Sequence, residues 1–376
     1  MFAGYRPKLR VAMVAASLRI IGGQAVQAQR LLDGWRQDPD IDAWLVPINP
    51  QLPPPLNRLL SIKYLRTVAT QLAYWPLLLR ALRRADVVHV FSASYFSFLL
   101  APLPAIVVAK LLGKPVLLNY HSGEAPDHLR RSWFARHVIR HWPDLNVVPS
   151  PFLREVFASF GIQAEVVLNT VDMAEFAFRT RNPLRPRLVS TRNFEPLYNV
   201  GCTLRAFARV QAAYPDASLT LVGGGSQERA LRALSATLRL RNVTFTGPAA
   251  PTEIHRAYAA ADIYVQTPSI DNMPLSVLEA FASGLPVVST SVGGVPYMLT
   301  DGVHGLLAPD NDHEAVAAQV LALLADQTRA HTMAAAARET CARYEWPIAR
   351  EGWKRVYRAV LKEMAPEHQG LALPHE

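Results

Sequence analysis

Residues 271–294 read DNMPLSVLEAFASGLPVVSTSVGG, and this stretch contains a short helix with a clear signal at each end. Pro274 suits the beginning of a helix, because its ring presets the backbone angle and its missing N–H is not needed there. Gly284 followed by Pro286 predicts the end of the helix. We therefore expect a helix over residues 275–283.

The N-terminus of this helix is predicted to bind an anion. The strand-like run IYVQTPS comes directly before it, so the helix would begin at the carboxyl edge of a parallel sheet. The amides of Asn272, Met273 and Leu275 would be free there, and such a helix end attracts phosphate. Glu279 lies one turn beyond Leu275 on the same face, where its carboxylate can accept hydrogen bonds from ribose hydroxyls.

Apolar, strand-like runs alternate with helical patterns on both sides of this segment. The runs are continuous and not alternating, which is typical of parallel strands covered by helices on both faces. The pattern starts once near the N-terminus and again near residue 186. The clearest examples are LRVAMVAA, DVVHVFS and PVLLNYH in the first series, then PRLVSTRN and ASLTLVGGG in the second.

This rhythm predicts the fold class α/β, with two Rossmann-like, doubly wound domains. A length of 376 residues agrees, since single hydrophobic cores rarely grow beyond about 250 to 300 residues. Residues 1–178 would form the first domain and residues 179–345 the second. An amphipathic helix within residues 346–376 would cross back and complete the first domain.

Composition narrows the class of protein. Half of the residues are hydrophobic and 18% are charged, which predicts a globular protein. Cys202 and Cys341 lie far apart without a CxxC pattern, so we expect neither a disulfide framework nor a zinc site, and a cytoplasmic location fits. No secretory signal or transmembrane helix is expected, because the apolar run at residues 11–16 is short.

The net charge of +9 is concentrated in the first half of the chain, where residues 1–150 hold 18 Lys and Arg against 8 Asp and Glu. Such asymmetry predicts an anionic partner, which could be a nucleic acid, a lipid headgroup or a phosphorylated substrate. The stretch 56–84 mixes arginines with Tyr64, Tyr74, Trp75 and many leucines. It is a candidate for contact with an anionic membrane surface, and the alternative is an ordinary helix that covers a sheet.

The distal motif resembles that of the family 4 retaining glycosyltransferases, whose GT-B architecture consists of two facing Rossmann-like domains. Two acidic residues separated by seven positions carry the resemblance, and here they are Asp271 and Glu279. The resemblance implies that the first contacts the hydroxyls of the donor sugar and the second contacts the ribose. The first position is usually Glu, so Asp271 shortens the reach by one methylene group.

Other positions match the family pattern residue by residue. The resemblance implies catalytic roles for His121, Arg192 and Asp271, with His121 near the transferred sugar and Arg192 on the donor diphosphate. The usual companion lysine is absent, because Leu197, Tyr198 and Asn199 stand in its region. The implied donor-binding residues are Gly22, Gly23, Arg192, Gly223, Asp271, Asn272, Met273, Leu275 and Glu279.

The resemblance implies a retaining glycosyltransferase that needs neither metal nor cofactor and uses a UDP- or GDP-linked sugar as its substrate. The acceptor would be a hydroxyl group, in a lipid-linked or cell-envelope glycan. The enzyme would then be cytoplasmic and could lie at the inner face of the membrane. Three alternatives remain: a sugar-nucleotide-binding relative without transferase activity, a sugar-nucleotide epimerase, and a basic nucleic-acid-binding protein, although no nucleic acid is expected as a partner.

Overall fold

The structure is a computed structural model that describes residues 7–19, 22–51 and 63–363. Among these residues, two separate six-stranded parallel sheets each carry helices on both faces. The predicted α/β class with two Rossmann-like, doubly wound domains is therefore confirmed.

The first sheet has the strand order β2-β1-β3-β4-β5-β6. Its strands are β1 (Leu9–Ala15), β2 (Ile41–Pro47), β3 (Val87–Ser92), β4 (Val116–Tyr120), β5 (Leu145–Val148) and β6 (Glu165–Val166). Its helices are α1 (Gly23–Trp35), α2 (Lys63–Leu82), α3 (Tyr95–Leu100), α4 (Pro102–Leu111), α5 (Ala125–Arg131), α6 (Trp133–His141) and α7 (Pro151–Ser159). Every residue of β3 and β4 is buried, as the continuous apolar runs predicted.

The second sheet has the strand order β12-β11-β10-β7-β8-β9. Its strands are β7 (Arg187–Ser190), β8 (Ser218–Val222), β9 (Val243–Gly247), β10 (Ile263–Gln266), β11 (Val287–Thr290) and β12 (Leu306–Ala308). The helices after β7 are α8 (Val200–Ala213), α9 (Glu228–Thr237), α10 (Ile254–Ala260), α11 (Leu275–Ala282), α12 (His313–Ala325), α13 (Gln327–Thr340) and α14 (Trp346–Glu363). This strand order reverses between β7 and β10, and such a switch point opens a crevice at the carboxyl ends of the strands.

Helix α14 packs against the first sheet, although it follows the second sheet in the chain. Trp353 and Tyr357 are buried in one cluster with Val11 and Leu117 of that sheet. The first sheet ends at β6 and the second begins at β7, so the predicted boundary at 178/179 lies in the segment between them. Residues 364–376 of the predicted closing segment lie outside the described residues.

Candidate active site

A cavity of about 340 Å³ lies between the two domains. Loops after the carboxyl ends of β1, β4, β7 and β10 contribute to its walls. Every residue predicted to bind the donor or to act in catalysis lines this cavity, namely Gly22, Gly23, His121, Arg192, Gly223, Asp271, Asn272, Met273, Leu275 and Glu279. The fold therefore brings together residues that are far apart in the chain, such as Gln24 of α1 and Glu279 of α11.

The N-terminus of α11 faces this cavity. Pro274 caps the helix in an extended conformation, and Leu275 is its first helical residue. At the other end Gly284 has a φ of +69° and donates to the Phe281 carbonyl, while the Leu285 amide donates to the Ala280 carbonyl. The helix thus begins as predicted and ends at Ala282, one residue before the predicted position.

One predicted free amide is occupied. The N–H of Asn272 donates to Oδ1 of Asp271 over 2.9 Å, so the aspartate side chain folds back onto its neighbour. The Asn272 side chain in turn contacts the first domain, because its Oδ1 accepts from the Ser150 hydroxyl and its Nδ2 donates to the His121 carbonyl over 3.4 Å. These bonds fix the loop before α11 against the opposite wall of the cleft.

Arg192 and Asp271 form a buried ion pair at the switch point of the second sheet. Nη2 of Arg192 lies 2.6 Å from Oδ2 of Asp271, and Nη1 donates to the Ser276 hydroxyl over 3.0 Å. Burial raises the pKa of Asp271, and the neighbouring guanidinium opposes that rise. Burial opposes the charge on Arg192, yet Asp271 and nearby tyrosines hold the pKa of the guanidinium above its ordinary value.

Tyr198 lies where the usual lysine was missing from the sequence. The Arg192 guanidinium stacks over the Tyr198 ring with 4.1 Å between its central carbon and the ring centroid. Such a contact stabilises the cation but adds no second positive charge. Nε of Arg192 is buried and has no hydrogen-bond partner within the described part of the chain, so one donor of this side chain remains for a ligand.

Glu279 is held by groups from both domains. Its Oε2 accepts from the Tyr258 hydroxyl over 2.9 Å, and its Oε1 accepts from Nη2 of Arg30 over 3.1 Å. Arg30 belongs to α1 of the first domain and lines the cavity. The sequence reasoning missed Arg30, although Gly23, Val26 and Arg30 are spaced to share one face of a helix.

His121 follows β4 and faces the cavity with a neutral ring. Burial lowers the pKa of His121 to about 3, so the imidazole carries no charge at neutral pH. Its ring stacks on Phe91 with 5.1 Å between centroids. Its Nε2 is buried without a hydrogen-bond partner among the residues that the structure describes.

The glycines differ in their surroundings. A Cβ at Gly22 would meet nothing within 4 Å, so the space beside this residue is open cavity, which suits a close approach of a ligand to the backbone. Gly223 instead packs tightly against the Arg192 carbonyl, and a side chain there would collide with that backbone. Gly223 therefore supports the loop that carries Arg192, in addition to lining the cavity.

Glu124 is a further cavity residue that the sequence reasoning missed. It follows Gly123, whose Cβ would lie 3.1 Å from the carbonyl carbon of Asp271, so the two domains approach closely at this point. Burial raises the pKa of Glu124, and the nearby Asp127 acts in the same direction. No local pattern marks Glu124, because its position in the cavity depends on this contact between domains.

Residues 7–19, 22–51 and 63–363 lack two features, a cluster of metal ligands and a membrane-spanning helix. These ranges contain no group of three or more His, Cys, Asp or Glu residues arranged to hold a metal ion. No helix within them is both long enough and apolar enough to cross a membrane.

Two facing Rossmann-like domains, with a helix N-terminus and an arginine in the cleft between them, define a GT-B architecture. Comparison of the sequence with known families agrees. Residues 174–340 match the family described as glycosyl transferases group 1, and residues 21–175 match glycosyltransferase family 4. The chain belongs to this family of glycosyltransferases.

Several known proteins are similar over most of the chain. The sulfoquinovosyl transferase of Arabidopsis thaliana is 28% identical over 318 residues, which are 78% of this chain and 61% of that protein. The phosphatidyl-myo-inositol mannosyltransferase of Mycobacterium leprae is 26% identical over 375 residues, which are 94% and 97% of the two chains. The structure of Anabaena HepE in complex with UDP-glucose superimposes with a TM-score of 0.75 at 17% identity, covering 93% of this chain and 100% of that chain.

Proposed function

We propose that this protein is a retaining, metal-independent glycosyltransferase that moves a sugar from a UDP- or GDP-linked donor to a hydroxyl acceptor. The observation that carries the proposal is the convergence of Arg192, Asp271, Glu279 and the N-terminus of α11 on one cavity. A positive helix end beside a guanidinium suits a diphosphate, while two carboxylates suit the hydroxyls of a hexose and a ribose.

In this mechanism the bond between the anomeric carbon and the diphosphate oxygen breaks as the acceptor oxygen bonds to the same carbon from the same face. The acceptor proton passes to the departing diphosphate. Negative charge grows on that diphosphate, so the amides of Met273 and Leu275 and the free Nε of Arg192 stabilise it. Neutral His121 offers Nε2 to the transferred sugar. The donor is a substrate, and the proposed reaction needs no cofactor.

The similar proteins support this choice of substrates. The Mycobacterium leprae relative is a phosphatidyl-myo-inositol mannosyltransferase, and the Anabaena structure contains UDP-glucose. By analogy, we propose a lipid-linked or cell-envelope glycan as the acceptor for this chain. The proposed donor is a sugar linked to either UDP or GDP.

An exposed apolar stripe on α2 supports contact with a membrane at its inner, cytoplasmic face. Leu65, Val68, Leu72 and Leu79 are exposed at spacings of three, four and seven residues, so they lie along one side of the helix. Exposed arginines flank the stripe at positions 66, 80, 83 and 84. Apolar side chains beside arginines suit an anionic lipid surface. The first part of the predicted stretch, residues 56–62, lies outside the described residues.

Release of nucleotide from a panel of UDP- and GDP-linked sugars tests the proposed reaction. The native protein should release UDP or GDP only when an acceptor is present, the product should keep the anomeric configuration of the donor by NMR, and EDTA should have no effect. Asp271→Asn should lower the rate at least about a hundredfold, the loss expected when a group that binds the transition state is removed. Donor rearrangement without release would identify an epimerase instead, and binding without turnover would identify a noncatalytic relative.

Co-sedimentation with vesicles tests the membrane contact separately. Leu72→Glu should weaken binding to vesicles rich in phosphatidylglycerol, because the new carboxylate would face anionic lipid. Ile348→Glu is the matched control, since Ile348 is also exposed but lies on α14. Equal binding by both variants would contradict contact through α2. Salt-sensitive binding to DNA in place of vesicles would favour the nucleic-acid alternative.

A further inference from the structure

Arg30 reaches from α1 of the first domain to the Glu279 carboxylate of the second. Its Nη2 lies 3.1 Å from Oε1 of Glu279, and its Nη1 donates to the Thr170 carbonyl over 2.9 Å. Oε2 of Glu175 lies 3.7 Å from the same Nη2. The side chains of Arg30 and Glu279 are only 16% and 10% exposed. A largely buried ion pair therefore crosses the cleft beside the proposed ribose position.

Stability alone is a weak reason for such a pair. Burying two charges costs desolvation energy that their attraction barely recovers, so a buried ion pair adds little net stability. It does fix the orientation of both side chains. The planar guanidinium binds two acceptors in a rigid geometry, so the bond to Thr170 sets where the group meets Glu279.

The Glu279 carboxylate keeps unused acceptor capacity. A carboxylate accepts about four hydrogen bonds, and Tyr258 and Arg30 occupy one position on each oxygen. Glu279 lines the cavity, so its remaining positions are accessible to a ligand. The other Arg or Lys that lines this cavity in the described ranges, Arg192, is engaged by Asp271 and Ser276.

We propose that Arg30 is a positioning residue, which holds the Glu279 carboxylate so that it accepts hydrogen bonds from the ribose hydroxyls of the donor. This inference rests on the proposed function, because it requires a ribose at Glu279. It adds that the first domain takes part in recognising the nucleoside. Ribose recognition then depends on how closely the two domains approach each other.

Titration calorimetry with ribonucleotides and deoxyribonucleotides tests this role on the full chain. The probes are UDP, GDP and their 2′-deoxy and 3′-deoxy counterparts. The native protein should bind a ribonucleotide about tenfold more tightly than one of its deoxy forms, as expected for the loss of one hydrogen bond to a charged group. Arg30→Gln should reduce this preference to about twofold or less and should leave the affinity for that deoxynucleotide nearly unchanged.

Two further variants complete the design. Arg30→Lys keeps a positive charge near Glu279 but cannot also reach Thr170. It should therefore still prefer the ribonucleotide over its deoxy form by about threefold. Arg10→Gln is the control, because Arg10 pairs with Asp86 elsewhere on the first domain and should behave as the native protein. If Arg30→Gln does not fold, Arg30→Lys decides the question. The proposal is overturned if Arg30→Lys prefers the ribonucleotide over its deoxy form as strongly as the native protein does.

The outcomes separate this inference from the proposed function. If Arg30→Gln weakens the binding of ribonucleotides and deoxyribonucleotides by the same factor, Arg30 acts as a general charge on the phosphates and the proposal is wrong. An unchanged preference also overturns it. If the native protein binds no nucleotide at all, the proposed function itself fails.

Discussion

Replacement of Arg192 by Met tests the ion pair at the centre of the cavity. Arg192 and Asp271 are 2.6 Å apart, and their side chains are 9% and 12% exposed. Met keeps most of the alkyl volume and removes the charge, so the Asn272 amide would be the one donor to the Asp271 carboxylate that remains among the described residues. Asp271→Asn removes the opposite charge, and the double variant contains neither.

The loss of stability expected for Arg192→Met follows from the burial of the ion pair. Breaking a buried ion pair by removing one partner costs about 3 to 5 kcal/mol. The lower end applies here, because the Asn272 amide still donates to Asp271 and the pair faces an open cavity. A loss of about 3 kcal/mol lowers Tm by roughly 6 to 12 °C in a domain of this size. The double variant should be about 2 kcal/mol more stable than the summed stability losses of the two single variants would predict.

The lower Tm of Arg192→Met relative to the native protein should also depend on pH. Burial already raises the pKa of Asp271, and loss of Arg192 removes the group that opposes this rise. A carboxyl with a folded-state pKa above its ordinary 3.8 contributes stability at low pH, which is lost as the pH rises through the folded-state pKa. The Tm deficit of Arg192→Met should therefore shrink as the pH falls from about 7.5 toward 5.

Differential scanning calorimetry of the four proteins over this pH range measures both effects. Arg187→Met is a matched control, because Arg187 pairs with the fully buried Asp262 in the same domain but does not line the cavity. It should lose stability and keep its affinity for UDP or GDP, whereas Arg192→Met should lose both. The coupling of Arg192 with Asp271 would be refuted if the stability losses of the two single variants summed to that of the double variant within about 0.5 kcal/mol. A Tm deficit of Arg192→Met that does not change with pH would refute it as well.

Three further predictions concern the cavity walls. Gly22→Ala should leave Tm within about 1 °C, because the added methyl group meets no protein atom, yet it should weaken UDP-sugar binding in calorimetry by entering the cavity. Gly123→Val should displace the Asp271 backbone, because a Cβ at position 123 would already lie 3.1 Å from the Asp271 carbonyl carbon, and kcat should fall about tenfold or more; an unchanged kcat would contradict the close approach. Because burial lowers the pKa of His121 to about 3, this residue should reduce the free energy of unfolding by about 1.4 kcal/mol per pH unit as the pH falls from 6.5 toward 3. His89, whose pKa burial lowers to about 3 as well, adds a slope of the same sign, so His121→Asn should lessen the slope in urea titrations without abolishing it.

Local signals in the sequence were sufficient to predict helix α11. Pro274 and Gly284 predicted its two ends, and the structure has the helix at Leu275–Ala282 with a left-handed glycine after it. The end differs by one residue because Ser283 caps the helix. The free amide predicted for Asn272 was not observed, since the rotamer of Asp271 that occupies it depends on Arg192.

The same signals predicted two parallel sheets but not the order of their strands. Continuous apolar runs such as PVLLNYH indicate burial on both faces, whichever strands lie alongside. The reversal between β7 and β10, which brings Arg192 next to Asp271, appears only in the folded sheet.

The sequence by itself determined which residue types follow strands and begin helices, and these included most of the residues predicted to bind the donor; Glu279 lies inside α11. Only the tertiary structure decided their partners. Arg192 meets Asp271 across 79 positions, and Arg30 meets Glu279 across 249 positions and between two domains. Helix ends depend on bonds between near neighbours and so leave a local pattern, whereas these ion pairs depend on strand order and on the contact between domains.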